Sequence, residues 1–495
     1  MLYLSTRGGG AVPSAAEAIA KGLSEDGGLY VPESFPRLSL NELEDISHKP
    51  YDERAAGILG LFLDDYSPLE LAQYAKEAYS APGFDNPAIA PLKKLAGGLY
   101  FLELWHGPTS AFKDMALQIL PRLLTAALLK TDEKRRVCIL VATSGDTGKA
   151  ALEGFRDVPG TKIMVFYPRD GVSDVQKLQM TSQSGENVNV VAVEGNFDDA
   201  QAGVKAIFSD ESLRAALSNN GFFLSSANSI NWGRLAPQIA YYVSAYCDLL
   251  ADGEIGLGDK VNFCVPTGNF GNILAGWYAE KIGIPVNRLI CASNRNDVLA
   301  EFMTTGVYDR NRQFYTTVSP SMDILVSSNL ERLLYELSGK DGGAVSGYMS
   351  ALSGKGRYEV PAKVKDEMKS VFDGGSCSEE DTYRTIGQTF REYGYLIDTH
   401  TAVAYKVLND YREQSGDMTP AVVVSTASPY KFCDSVLEAL GQQPAAGGVE
   451  LISALEEFSG CPVPAPLAGM GGKRPRFLET TPVSGMKAAV ERFLG

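Results

Sequence analysis

The sequence predicts a doubly wound α/β fold on parallel sheets, preceded by a mostly helical N-terminal domain. Two observations carry that class. Six apolar, β-branched runs at 137–142, 162–167, 188–193, 261–265, 288–293 and 421–425 read as strands. Amphipathic stretches at 148–156, 198–208 and 271–282 fall between several of them and read as helices. Near-continuous apolar strands alternating with helices belong to parallel sheets covered on both faces. Such sheets bind ligands at the carboxyl ends of their strands.

Taken in order, residues 1–92 form an N-terminal domain with helical patterns at 14–24, 50–62 and 67–79, separated by Pro-, Gly- and Asp-containing turns. Residues 93–340 are the α/β core, in two subdomains. More charge and more polar turns mark 341–395 as a helical insertion at the periphery, and 396–495 return to the core and end in a tail. A chain of 495 residues suits several such units. Glycine is abundant, 50 residues often in short runs, as expected where backbone must approach a ligand closely.

Composition excludes several classes. A formal charge of −15 repels nucleic acid and anionic membrane, so neither is expected as a partner. The seven cysteines are scattered without a C-x-x-C pair, and the three histidines lie far apart, so neither a disulfide framework nor a metal site is expected. The N-terminus lacks a basic segment followed by an apolar run, and no membrane-length apolar stretch follows. A reduced, cytoplasmic enzyme is the expectation.

Three loops carry candidate chemistry. In WHGPTSAFKDMALQ (105–118), Thr109 or Ser110 can cap a helix running through Leu117, which puts Lys113 in its first turn. The helix dipole there disfavours a cation and lowers a lysine pKa, as a nucleophile or base requires. A solvated lysine that tolerates the dipole is the alternative. In VPTGNFGNILAG (265–276), Gly268, Asn269, Phe270, Gly271 and Asn272 join a strand to a helix, which suits a phosphate cradle or an ordinary glycine-rich turn. In ATSGDTGKAALEGF (142–155), Ser144, Thr147 and the N–H groups from Gly145 to Gly148 could hold an anion. Its TGK fragment fails as a P-loop, because Thr143 replaces the first glycine and Ala150 the final Ser or Thr. No G-x-G-x-x-G follows any expected strand either, which disfavours a nucleotide-dependent kinase or dehydrogenase.

Together, SAFKD, SGDTG and GNFGN resemble the tryptophan-synthase-β-like pyridoxal-phosphate enzymes of fold type II. YLSTRGG (3–9), EDGGLYVPE (25–33), SSANSINWGRLAPQ (225–238), SMDILVSSNLERLLYEL (321–337), LIDTHTAVAY (396–405) and VSTASPYKF (424–432) narrow this to the threonine synthases, in their longer bacterial and fungal form. The resemblance covers nearly the whole chain. Ser428 and Tyr430 depart from the His and Ala that many members carry there.

The resemblance implies pyridoxal 5'-phosphate as cofactor, with Lys113 as the Schiff-base lysine and 268–272 on the cofactor phosphate. It implies Thr426 at the pyridine nitrogen and Asp146 beside the phenolic oxygen, where either the aspartate or the phenol must carry a proton. The implied reaction converts O-phospho-L-homoserine and water to L-threonine and phosphate by γ-elimination and β-hydration. Ser226, Asn228, Ser229, Asn231 and Arg234 are candidates for the substrate phosphate, against an N-capped turn with a surface arginine. Thr109, Ser110, Ser144 and Thr147 are candidates for the substrate carboxylate. Asp323, Ser327, Asn329 and Arg332 are supporting or lid residues, or else a capped helix with surface charge pairs. His106, beside Trp105, orients the lysine loop or packs in the core. A monomer or homodimer is expected. No effector region of the plant type precedes the opening motif, so activation by S-adenosylmethionine is not expected. The rival readings are a serine/threonine dehydratase-like enzyme of the same fold and a silent homologue that binds a phosphorylated metabolite.

Overall fold

The computed structural model describes residues 1–443 and 447–495. At the N-terminus, β1 (Tyr3–Ser5) and β2 (Tyr30–Pro32) pair antiparallel among short helices. Ser14–Glu17, Ser39–Glu42 and Ser67–Glu70 each form a reciprocal capping box, which satisfies two orphan donors per helix start.

Two larger sheets follow. The first has six strands: β3 (Leu92–Ala96), β4 (Leu99–Glu103), β9 (Val261–Pro266), β10 (Val286–Ser293), β13 (Phe372–Ser376) and β14 (Ala421–Ser425). Their order is β13-β10-β9-β14-β4-β3, parallel throughout except for β3. The second has β5 (Arg136–Ala142), β6 (Thr161–Pro168), β7 (Val188–Glu194), β8 (Phe222–Ser225) and β15 (Thr480–Pro482), all parallel in the order β15-β7-β6-β5-β8. A two-stranded pair, β11 (Val307–Asp309) and β12 (Arg357–Glu359), completes the set. The six expected strand runs all lie in these two sheets.

The helix Trp232–Ala251 packs between the N-terminal helices Leu40–Ser47 and Tyr51–Phe62 and the helix Gly271–Ile282, and nearly all of its residues are buried. A helix apolar on every face must be enclosed in this way. Three features differ from expectation. β3, β4, β8 and β15 are strands that the apolar pattern did not mark, and Leu40–Ser47 is an additional helix of the N-terminal region. Residues 341–395, expected as a helical insertion, also supply β13, which pairs along β10 from Leu289↔Phe372 to Ser293↔Ser376. Its sequence, FDGGS, has no β-branched residue to announce a strand. Gly374 fits there because a Cβ would meet the Ala300 carbonyl at 2.9 Å.

Candidate active site

The carboxyl ends of β5, β9 and β14 open on one cleft, with about 980 Å³ of atom-free space that is partly open to solvent. The loop after β4 closes over the end of β14. Leu104 and Phe112 donate backbone N–H bonds to Ser425 and Thr426, and Ala111 bridges to Ala427. This stitching carries Lys113 and Thr426 into the same cleft.

Lys113 precedes a helix of only four residues, Asp114–Leu117, and occupies its N-cap position. Neither Thr109 nor Ser110 caps it. Instead, the Asp114 carboxylate accepts from the Thr109 N–H and hydroxyl, both at 2.8 Å. The amine of Lys113 lies over the Phe112 ring, 4.5 Å from its centroid. Burial is the main cause that lowers its pKa to about 8; Asp146 opposes the shift, and Arg234 and Lys431 add to it. The lysine is therefore depressed as expected, but by desolvation rather than by a long helix dipole.

Gly268, Asn269, Phe270, Gly271 and Asn272 all line the cleft where the 12-residue helix Gly271–Ile282 begins. A Cβ on Gly268 would sit 2.4 Å from the Ser321 carbonyl, so only glycine fits. Phe270 holds the left-handed conformation (φ 64°) that turns the loop into the helix. Oδ1 of Asn272 accepts from the Tyr241 and Tyr242 hydroxyls, while its buried Nδ2 has no partner.

Asp146 opens the helix Asp146–Phe155. Its Oδ1 lies 2.6 Å from Nζ of Lys431 and accepts from Nε2 of Gln176 at 2.8 Å. Burial would raise its pKa, but Lys431 and Lys113 outweigh that and hold the carboxyl well below the usual range. Asp146 is therefore an ionised carboxylate, held so by the two lysines and the Gln176 amide. Gly145 (φ 130°) allows this packing, since a Cβ there would meet the Gln176 side chain at 2.5 Å. The Gly145 and Gly148 N–H groups, expected to hold an anion, instead donate to the Thr143 hydroxyl. Ser144 and Thr147 line the cleft.

Arg234 is only 6% exposed. It donates to the Ala227 carbonyl at 2.7 Å and the Thr147 hydroxyl at 3.3 Å, and no carboxylate among the described residues pairs with it. Burial lowers its pKa to about 10, which leaves it charged at neutral pH. It is not a surface arginine. Asn228 and Ser229 line the cleft beside it, and Oδ1 of Asn228 is buried without a partner.

Several expected residues lie elsewhere. Thr109, Ser110, Ser226 and Asn231 do not line the cleft. Asn231 caps the helix Trp232–Ala251 through the Gly233 N–H and donates to the Ile19 carbonyl at 3.0 Å. Ser226 accepts from the Asn228 N–H. Arg332 is fully buried, neither lid nor surface, and donates to the carbonyls of Tyr30, Ser229 and Ile230. Asn329 braces Ser229 and Asn269, and Ser327 donates to the Gly268 carbonyl. Asp323 lines the cleft and accepts from Thr317, Asn294 and Asn296. His106 stacks on Trp105 between Asp85 and Glu103, away from the cleft. Ser428 caps the Tyr430 N–H, and Tyr430 bonds the Cys461 carbonyl, so neither reaches the cleft.

Lys431, Gln176 and His400 were not singled out from the sequence. His400 lines the cleft, paired to Asp398 at 2.7 Å through Nδ1, with Nε2 accepting from the Ser321 N–H. Lys431 sits inside a recognised motif, but nothing local distinguishes a buried lysine from a solvated one.

This geometry suits pyridoxal phosphate. A cleft amine that pairs with no acid among the described residues, an orphan amide donor at a glycine-rich helix start and a hydroxyl at the end of β14 are the groups it would need.

Three family profiles match the chain: "Threonine synthase N terminus" over residues 2–79, "Pyridoxal-phosphate dependent enzyme" over 80–428 and "Threonine synthase, C-terminal" over 401–479. The threonine synthase of Pseudomonas aeruginosa is 42% identical over 447 residues, 90% of this chain and 92% of its own. Among solved structures, the pyridoxal-phosphate-bound threonine synthase of Brucella melitensis superposes with a TM-score of 0.87 at 37% identity, covering 100% of this chain and 99% of that one. The yeast threonine synthase gives 0.88 at 33% identity, covering 100% and 98%.

Proposed function

The chain belongs to the threonine synthase family of pyridoxal-phosphate-dependent enzymes, and on that premise we propose that its cleft converts O-phospho-L-homoserine and water to L-threonine and phosphate. When bound, the cofactor supplies an electron-accepting ring that stabilises negative charge beside the substrate nitrogen. Lys113 would hold it covalently, and its free amine would take the α proton and carry protons among the neighbouring carbons. An amine with a pKa near 8 can both accept and return a proton at neutral pH.

The 268–272 loop and Nδ2 of Asn272 hold the cofactor phosphate. Thr426, in the cleft at the end of β14, would meet the ring nitrogen, where a hydroxyl would leave it largely unprotonated. Asp146, held as an anion by Lys431, would stand beside the phenolic oxygen. Ser144 and Thr147 hold the substrate carboxylate, and Asn228, Ser229 and Arg234 hold its phosphate.

Arg234 is the observation that carries the substrate assignment. A buried guanidinium without an acid costs several kcal/mol unless an anion arrives. A dehydratase acting on an unphosphorylated amino acid would have no use for one. The seven cysteines are all unpaired, and no helix among the described residues is long and apolar enough to cross a membrane. Both features support a cytoplasmic protein, which we take to be a monomer or homodimer.

Phosphate release from O-phospho-L-homoserine by wild type and Lys113→Ala, with visible absorbance spectra of both, tests this reading. Wild type should show the band of the lysine-linked cofactor, release phosphate and make L-threonine, and the variant should lose all three. A band without phosphate release would move the function to a dehydratase or a silent homologue.

A further inference from the structure

Asp146 in the cleft is acted on by two lysines, the partly buried Lys113 and the fully buried Lys431, and it is bonded to the one that the reaction does not use. Lys431, in the short turn Pro429–Lys431 beyond β14, has no exposed surface. Its Nζ lies 2.6 Å from Oδ1 of Asp146 and donates to the Thr109 carbonyl at 2.9 Å. Lys113 Nζ lies over the Phe112 ring and has no hydrogen-bond or ion-pair partner among the described residues.

The other charged groups around the cleft are already committed. Asp114 bonds to Thr109 and Gln118 on the far side of the lysine loop. Asp323 is engaged by Thr317, Asn294 and Asn296. His400 is paired to Asp398; Arg234, held by Ala227 and Thr147, is left for the substrate phosphate, and after Lys431 the cation acting on Asp146 is Lys113. That leaves Asp146 as the acid able to capture the Lys113 amine. A buried carboxylate holding only one amide donor would draw in the nearest remaining cation. The captured amine would lose its free lone pair.

We propose that Lys431 is a positioning residue for Lys113: by engaging Asp146, it keeps the neighbouring amine unpaired and able to bond the cofactor. This rests on the reading of Lys113 as the cofactor-bearing lysine. The directions of the electrostatic effects agree, since Asp146 raises the Lys113 pKa and Lys431 lowers it. Lys431 also braces the Thr109 carbonyl, so the test must separate electrostatics from loop support.

The full chain, stripped of cofactor, is mixed with pyridoxal phosphate between about pH 6 and 10, and the rate at which the lysine-linked band appears is followed. Only the unprotonated amine reacts, so the rate reaches its plateau through the amine's own pKa, near 8 in the wild type. For Lys431→Met the midpoint should rise by about one pH unit, with roughly tenfold slower linkage at pH 7 and an unchanged plateau. Lys431→Arg should keep the wild-type midpoint, and Asp146→Asn combined with Lys431→Met should return to it.

A lower plateau at an unmoved midpoint would reduce Lys431 to a loop brace and overturn the proposal. If Lys431→Met does not fold, the double variant is compared with Lys431→Arg. Matching midpoints support the proposal; a higher one in the double variant means that Lys431 acts without Asp146, and overturns it. A band that persists in Lys113→Ala would instead refute the underlying assignment of that lysine.

Discussion

The Tyr242 hydroxyl donates to Oδ1 of Asn272 at 2.8 Å, and Tyr241 donates to the same oxygen at 2.5 Å. Two O–H donors on the carbonyl end fix the amide so that Nδ2 is the end left for a ligand. A flipped amide would offer the phosphate an acceptor instead of a donor. Both tyrosines are fully buried on the helix Trp232–Ala251, so a distant element sets the polarity of the cradle.

Removing one hydroxyl should loosen that control. Tyr242→Phe should weaken pyridoxal phosphate binding about fivefold, the equivalent of one net hydrogen bond of about 1 kcal/mol. The Tyr241→Phe/Tyr242→Phe pair should weaken it more. Fluorescence titration of the cofactor-free chain measures this, and unchanged affinity in the pair would refute the role.

Arg234 offers a sharper test of the substrate. Arg234→Gln should lower kcat/KM for O-phospho-L-homoserine by at least about a hundredfold, from loss of a buried charge-assisted contact worth about 3 kcal/mol. Pyridoxal phosphate affinity should change much less. Competitive inhibition by inorganic phosphate should weaken in parallel, and equal losses for cofactor and substrate would assign the arginine to the wrong anion.

Asn231 sits three residues away and behaves differently. It caps a long buried helix and ties it to Ile19, so Asn231→Ala should cost about 1–2 kcal/mol of stability. Denaturant unfolding should register that loss, while KM stays within about twofold. A large rise in KM at unchanged stability would return Asn231 to the substrate site.

His106 should give the protein a pH-dependent stability term. Burial alone would lower its pKa, but Asp85 and Glu103 bond its two ring nitrogens and raise it to about 9. A raised folded-state pKa means stability fully present below the unfolded value of about 6.5 and lost as pH climbs through about 9. His106→Gln should lower stability by roughly 2 kcal/mol at pH 6, after allowance for solvent screening. Calorimetry across pH 6–10 should show the gap closing, and a constant gap would contradict an imidazolium between two carboxylates.

The sheets and the three loops were legible in the sequence because their signals are local. A β-branched apolar run buries itself on both faces wherever it sits, and a glycine-rich segment after such a run marks a tight strand-to-helix turn, although the Gly145 and Gly148 N–H groups turned out to bond Thr143. The edge strand β13 escaped notice because FDGGS is held by its partner β10 rather than by its own side chains.

Partner choice was decided only by the tertiary structure. Within SSANSINWGR, Arg234 and Asn231 are equally polar in sequence, yet one faces the cleft and the other Ile19. Arg332 is consumed by carbonyls from the N-terminal strand and the 229–230 loop, and Lys431 by an aspartate on another sheet's helix. The cost of burying a charge depends on which opposite charge or carbonyl the fold brings to it. Those partners lie far away in the chain, so the sequence named the chemistry while three-dimensional packing assigned each charged side chain its work.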